Sequence, residues 1–486
     1  METKPETRSA IPSAYNTISS NRSIGYSMAS AVADIIDNSI SADAHTIDLI
    51  APSLADPVLY IVDDGCGMDQ AELDVAMTFG GAINCQEDRP RNDLGRFGMG
   101  LKTASLSQCT KLEVISKKSG NFVGGCWDLS YIKKNDTWDY LVIPEDECKK
   151  KVSGTLLESE SITSGTAVIW SRFDRLRESA TNKFDEFSNQ MSKTCKNLSL
   201  IFHRYISGEE DINKIRITYN KNVLKPIDPF LSGDIAEVAK AKMIPLNNDY
   251  ITVHCHKLPY PDKLTKEQLN KAQLEDGSTL LETQGFYVYR NKRLIDYGTW
   301  FGLASKKDKT KLSRIQIDIP NTLDSVWSLD IKKSRAIPPE KIREDLRKIL
   351  ETNAIKSKKT YTTRARKKSS GTYWVREITP ANTIEYTIND DHPLIKDFRS
   401  KLSSEQQKEF DFMLGNISKF FPFSKLELDQ QDDRIIENES DDYQTKGLKD
   451  NIELMIAFGY SNDDILKTFP DLDDEVSKVL HELGRL

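Results

Sequence analysis

The segment from Ala29 to Ala44, Ala-Ser-Ala-Val-Ala-Asp-Ile-Ile-Asp-Asn-Ser-Ile-Ser-Ala-Asp-Ala, constrains this chain more than any other. At 3.6 residues per turn, Val32, Ile35, Ile36 and Ile40 fall towards one stripe, which predicts a core-facing helix. Asp34 and Asn38 stand four apart and so share one face, one above the other. An amide oxygen there is a hard ligand suited to Mg²⁺, and a carboxylate can take a proton from an attacking water. Asp and Asn on a helix are also ordinary solvated residues, so the pair needs support from elsewhere in the chain.

The 486 residues suffice for two or three domains with cores of their own. Charged residues make up 29% and hydrophobic ones 38%, the mix of a globular protein. A net charge of −7 gives no global pull towards nucleic acid, so any such binding has to come from local patches. Seven cysteines without CxxC pairs argue for reduced thiols, as in a cytoplasm. The polar opening Met-Glu-Thr-Lys-Pro-Glu-Thr-Arg has no apolar run of a signal peptide. No apolar stretch approaches the ~18 residues of a membrane span, so no membrane partner is expected.

Residues 1–23, rich in Ser, Asn and Thr, read as an arm that orders only against another surface. Beyond the helix, Thr46–Ile50 alternates as a strand. Val58–Val62 is a second strand, running into Asp63-Asp64-Gly65-Cys66-Gly67-Met68. Two glycines two apart after a strand give a tight turn and let a ligand approach the backbone. Asp63 is placed to accept from an exocyclic amine such as that of adenine. From Phe79 to Arg96 the chain reads as a lid or binding loop. The loop ends in Gly95-Arg96-Phe97-Gly98-Met99-Gly100-Leu101-Lys102, where three glycines in six residues lead into a helix. Free N–H groups at that helix start favour polyphosphate, and Lys102 adds charge nearby. Lys111–Ser116, Val123–Leu129 and Gly165–Trp170 are further strands, and Thr166 opens the last with a hydroxyl available to a bound base.

Asp34…Asn38, Asp63-x-Gly65-x-Gly67, Gly95-x-x-Gly98-x-Gly100 and Gly165-Thr166 occur in one order. Together they resemble the GHKL ATPase superfamily of gyrase B subunits, ninety-kilodalton heat-shock chaperones, MutL and the MORC ATPases. The phrases ADIIDNSISADA, VDDGCGM and LGRFGMGLKTAS look closest to MORC-like prokaryotic proteins. The resemblance implies ATP and Mg²⁺ as cofactors. It also implies an α/β Bergerat-fold sandwich, with helices layered on one face of a mixed sheet. In that fold Asn38 would hold Mg²⁺, Asp63 would bind adenine with Thr166 in support, and Gly95–Gly100 would wrap the phosphates. One residue departs from the pattern: the family's general base is usually Glu, and Asp34 stands there. Asp is one methylene shorter, and placement errors near ~1 Å can cost about a hundredfold in rate. Slow hydrolysis with intact binding is therefore expected.

The ATPase domain is expected over 24–205, closed by a charged helix near Phe184–Tyr205. An α/β transducer-like domain follows over 206–355, with Lys214–Tyr219 and Tyr250–His256 as its first strands. His254 and His256 share a strand face, which reads as a plain strand because zinc would need more ligands nearby. Gln284–Ile295 reads as strand, turn, strand with Asn291 in the turn, and Arg314–Ile319 as another strand. In Trp327–Arg335, alternating Trp, Leu and Ile lead to Lys332 and Lys333. By resemblance a lysine from such a loop reaches the γ-phosphate, with Lys333 the first choice and Lys332 the second.

Residues 356–486 lie beyond the resemblance and read as a basic linker, an acidic linker and a mostly helical region. Seven cations from Lys356 to Lys368 could track a phosphate backbone, and equally could be a solvated linker. Leu448–Leu486 has helical periodicity suited to contact with a partner protein. By that resemblance, the chain is expected to be a Mg²⁺·ATP-dependent, homodimerising clamp on DNA or a DNA-bound partner, in genome defence or repair. The same engine could instead serve a chaperone acting on protein clients, or a nucleotide-sensing scaffold. A histidine kinase is not expected, because no His precedes the helix.

Overall fold

A computed structural model describes residues 10–23, 25–81, 94, 100–176, 183–232, 237–247, 249–306, 310–324, 326–329, 336–350, 373–378, 384–419, 441–457, 459–468 and 473–485. They form two compact units, Met1–Ala354 and Ile355–Leu486.

Alternation builds the larger sheet of the first unit. Its strands are β1 (Thr46–Ile50), β2 (Val58–Asp63), β3 (Cys109–Lys118), β4 (Asn121–Asp128), β5 (Leu141–Ile143), β6 (Gly165–Phe173), β7 (Arg216–Tyr219) and β8 (Asn222–Val223). The spatial order is β5-β4-β3-β6-β2-β1-β7-β8. Every pairing is antiparallel except β1 with β7, so the sheet is mixed. On one face the rows Leu59–Ile61, Leu112–Val114 and Val168–Trp170 meet a helical layer in one buried cluster. The opposite face, with Val62, Ile115, Ala167 and Ile169, carries a smaller core. It is covered by Cys148 from the short helix at 145–151, by Val152 just after that helix, and by Leu157.

The helical layer includes α1 (Ala14–Arg22), α2 (Met28–Ser41), α3 (Gln70–Met77) and α4 (Gly100–Gln108). A capping box between Ser27 and Ser30 starts α2. Val32, Ile35 and Ile36 are buried as their spacing predicts, with Ile40 packed at the edge of the same cluster. The helix is enclosed further round than one stripe requires, because α4 and a 19-residue helix at Lys183–Ile201 flank it. Asp34 and Asp37 are therefore buried, and only Asn38 of its polar residues near the middle is exposed.

Two expectations change. The described part of the N-terminal arm orders against its own chain. Ser13 caps α1, Ala14 and Ile18 are fully buried, and Arg22 donates to the Leu106 carbonyl at 2.6 Å. An apolar pair four residues apart is enough to seat so short a helix once neighbours supply the other wall. Likewise, Arg216–Tyr219 belongs to the first sheet, since β7 runs parallel to β1 and buries Ile217 in the first core. The boundary at 205 therefore falls before the sheet is complete. The physical reason is that β1 would otherwise leave an unpaired edge.

A second sheet follows, with β9 (Glu237–Val238), β10 (Lys242–Leu246), β11 (Asp249–Lys257), β12 (Gly285–Arg290), β13 (Arg293–Thr299) and β14 (Ser313–Ile319). Its order is β10-β11-β14-β12-β13, with β9 beside β11 and β12 parallel to β14. Asn291 and Lys292 join β12 to β13 with φ of 45° and 66°, the left-handed pair of a two-residue hairpin turn. Ile342, Leu346 and Ile349, from a helix over 340–350, close the core against Val253, Val288 and Ile317.

The second unit has a two-stranded ribbon, Trp374–Ile378 with Ile384–Ile388, absent from the sequence reading. Helices Pro393–Ser400, Ser404–Lys419, Asp441–Ala457, Asn462–Thr468 and Asp473–Glu482 accompany it. Leu394, Ile452, Met455, Ile465 and Val476 form its core. The basic run Lys356–Lys368 lies outside the described residues. No described helix is long and apolar enough to cross a membrane.

Because Ile36 sits at the centre of the α2 stripe, truncation there leaves a cavity that sheet and helices cannot both fill. Ile36→Ala is expected to cost about 2–5 kcal/mol, read from the urea midpoint of the first unit's unfolding.

Candidate functional site

Three strands end at one level on the helix-facing side of the first sheet. Continuing the buried rows by one alternation gives Asp63 after Leu59 and Ile61, Ser116 after Leu112 and Val114, and Thr166 before Val168 and Trp170. Register places Asp63 opposite Thr166, and Thr166 opposite Ser116. Each apolar row thus carries a polar residue at its end. The Ser116 and Thr166 hydroxyls are 3.0 Å apart, and the Met68 N–H donates to Ser116 Oγ at 2.7 Å.

The Asp63 carboxylate is held on both oxygens. Oδ2 accepts from Ser39 Oγ of α2 at 2.8 Å, while Oδ1 accepts from the Gly65 N–H at 3.0 Å and the Thr166 N–H at 3.1 Å. Burial pushes its carboxyl up to about 6, opposed by the hydrogen bonds from Ser39, Gly65 and Thr166. The glycines are required by space. A Cβ at Gly67, whose φ is 65°, would lie 2.0 Å from the Lys117 carbonyl, and one at Gly165 would lie 2.2 Å from the Asp63 carbonyl.

One turn back along α2, the Asp34 carboxylate faces the start of α4. A Cβ built on Gly100 would stand 3.9 Å from Asp34 Oδ2. That oxygen also accepts from the Tyr26 hydroxyl at 3.1 Å. Asn38 is exposed on the same helix beside Ser39. One helix therefore touches the α4 start through Asp34 and the strand ends through Ser39, with Asn38 on its open side.

Other residues singled out in the sequence stand as follows. Gly65 is buried in the turn, Met68 half-buried behind it, and Leu101 half-buried in the first turn of α4. Lys102 is turned inward: its ammonium donates to the Ala76 carbonyl at 2.7 Å, and burial lowers it to about 8. Gly95, Arg96, Phe97, Gly98 and Met99 lie outside the described residues, as do Lys332 and Lys333. His256 stacks on Phe230 with ring centroids 4.2 Å apart and bonds Gln316, while His254 lies 6.3 Å from it, centroid to centroid. Among the described residues no cluster of His, Cys, Asp or Glu is arranged to hold a metal ion.

Sequence reading passed over Ser39, Ser116 and Tyr26. Ser39 carried a signal in lying next to Asn38 on a helix that had to cross the end of β2. Ser116 was visible only as the polar residue ending an alternating row. Thr103 is a further polar group here, its hydroxyl buried on α4 without a hydrogen-bond partner among the described residues.

The donor set suits a purine nucleotide with a hard cation. It comprises a buried carboxylate for an amine, an amide oxygen on an open helix face, and a helix start for phosphates. Comparison with known families agrees. Residues 26–163 match the family described as histidine kinase-, DNA gyrase B- and HSP90-like ATPase. The match supports placing this region in the GHKL superfamily, and the eight-stranded mixed sheet with its helices is consistent with that fold. It contains α2, Asp63 and α4, and ends just short of Thr166. No curated protein matches the chain.

If Asp63 accepts from the amine of a nucleotide, as proposed below, its ionised form is preferred, and nucleotide affinity should rise with pH through about 6 and level off above it. Folding stability runs the other way. The folded value lies above the ordinary 3.8, so this group's contribution is greatest at acid pH and is lost as pH rises through 6. Titration of an adenine nucleotide at pH 5 and 7.5 should show about tenfold weaker binding at the lower pH, and Asp63→Asn should flatten that slope.

Proposed function

We propose that the first unit binds Mg²⁺·ATP and hydrolyses it slowly, and that its nucleotide state drives pairing with a second copy of the chain. The single observation carrying this reading is the buried Asp63 carboxylate at the level of Ser116 and Thr166, joined through α2 to Asp34 and Asn38. In this reading Asp63 accepts the exocyclic amine of adenine while the Thr166–Ser116 hydroxyl pair borders the base. Asn38 offers its amide oxygen to the metal, and the Gly95–Gly100 segment with the start of α4 presents N–H groups to the phosphates. Magnesium, when bound, would neutralise charge developing on the phosphate oxygens.

Asp34 takes the proton of the attacking water. Its carboxylate is steadied by the Tyr26 hydroxyl, and its short side chain lies against the first residue of α4. That short reach supports slow turnover rather than none. Lys333, or Lys332 in its place, would bring a cation to the γ-phosphate.

The resemblance of the phrases ADIIDNSISADA, VDDGCGM and LGRFGMGLKTAS to MORC-like proteins supports a clamp acting on DNA or a DNA-bound partner, in a defence or repair role. Lys356–Lys368 is the segment we assign to DNA and the C-terminal helices to a partner protein. Free cysteines throughout the described residues suit a cytoplasmic setting.

Titration calorimetry and phosphate release on wild type, Asp34→Ala and Asn38→Ala test the site. Asp34→Ala should retain Mg²⁺·ATP binding and lose at least about a hundredfold in turnover, whereas Asn38→Ala should lose Mg²⁺-dependent binding. Equal activity in all three contradicts the assignment. Light scattering with a non-hydrolysable analogue should show dimer where nucleotide-free protein shows monomer.

A further inference from the structure

The hairpin joining β12 to β13 reaches from the second sheet into α2. Arg293, 2% exposed, donates from Nε to Oδ1 of the fully buried Asp37 at 2.8 Å. Another of its guanidinium nitrogens lies 3.6 Å from Oδ1 of Asp34, itself 4% exposed. On the other arm of the same hairpin, Arg290 grips Asp324 with two bonds of 2.7 and 2.6 Å and donates to the Leu94 carbonyl at 3.0 Å. The Leu94 N–H in turn donates to Ser41 Oγ, at the end of α2, at 3.3 Å. The Tyr205 hydroxyl pins the turn itself through the Asn291 carbonyl at 2.7 Å. One hairpin thus holds both the carboxylate turn of α2 and the residue that precedes the glycine segment.

We propose that Arg293 is a positioning residue for Asp34: by holding Asp37 and standing beside Asp34, it makes hydrolysis depend on how the second sheet is docked. The proposal rests on the reading of Asp34 as the base. Three points support it. First, two carboxylates one position short of a helical turn apart repel each other when buried, and a shared guanidinium offsets that repulsion. Second, a buried charge triad adds little net stability over an apolar contact of the same volume, so joining the sheets does not by itself account for it. Third, 3.6 Å is longer than a hydrogen bond. Arg293 therefore acts on Asp34 through its charge and through Asp37.

There is also room for movement. A cavity of about 210 Å³ lies beside Arg293, lined by Ser30, Asn197 and Tyr297 among others. Displacement of the guanidinium into that space would leave Asp34 beside Asp37 with the repulsion restored.

The test uses the full chain as wild type, Arg293→Gln, Arg293→Lys, Asp37→Asn and Asp37→Asn/Arg293→Gln. Arg293→Gln should lower kcat about tenfold or more while the Kd for a non-hydrolysable Mg²⁺·ATP analogue stays within about twofold. Arg293→Lys, which keeps the charge but loses the planar fork, should recover part of the loss. In nucleotide-free protein, Arg293→Gln should lower Tm, and removing the Asp37 charge as well should return at least about half of that loss. Should Arg293→Gln not fold, the lysine and double variants carry the same comparison.

An unchanged kcat in Arg293→Gln, a Kd that weakens in step with kcat, or strictly additive Tm losses overturns the proposal. Wild-type protein that binds no ATP overturns the nucleotide reading itself and any role in turnover with it. The Tm cycle then still reports whether Arg293 and Asp37 are coupled.

Discussion

Everything at the site depends on how α2 is wedged between the sheet and its neighbouring helices. Its apolar stripe fixes the rotation of the helix about its own axis. With rotation fixed, residues three, four and five positions apart are sent to different places. Asp34 goes to the start of α4, Asp37 to the second sheet's hairpin, Asn38 to the open side and Ser39 to the end of β2. A slip of one residue, about 100° of helix, would break all four at once. Hydrophobic burial of Val32, Ile35 and Ile36 is thus what aims the polar groups.

The strand ends supply the complementary constraint. Burying a carboxylate is costly unless its oxygens are paired, and Asp63 meets that demand with two backbone N–H groups and one hydroxyl. The two tight glycine positions, 67 and 165, exist because the backbone must pass close by to deliver those donors. The result is a carboxylate held on both oxygens, and in the proposed function that preorganisation lowers the ordering cost of binding.

Much of this could be read in the sequence, and the parts that could not share a cause. The α2 stripe and the strand running into Asp63 were legible because both follow from periodicity over a few residues. The β12–β13 hairpin was legible from its turn chemistry, with Asn291 at the turn. Ser116 and Thr166 become neighbours only when β3, β6 and β2 adopt one register, a long-range fact that no local pattern encodes. Arg290 and Arg293 flank that turn, and their burial depends on Asp324, Asp37 and Leu94, far away in the chain. The seating of α1 on its own chain and of β7 in the first sheet were missed for the same reason. Each is decided by the partner surface rather than by the segment itself.

In the proposed function, the ends of β2, β3 and β6 receive the base of an adenine nucleotide. Photo-crosslinking with an azido-adenine ATP analogue, followed by peptide mapping, tests it without relying on turnover. The account predicts that label falls on the Asp63–Met68 turn or the strand ends at Ser116 and Thr166, and that unlabelled Mg²⁺·ATP competes it away. Competable label confined to other surfaces of the protein would contradict it.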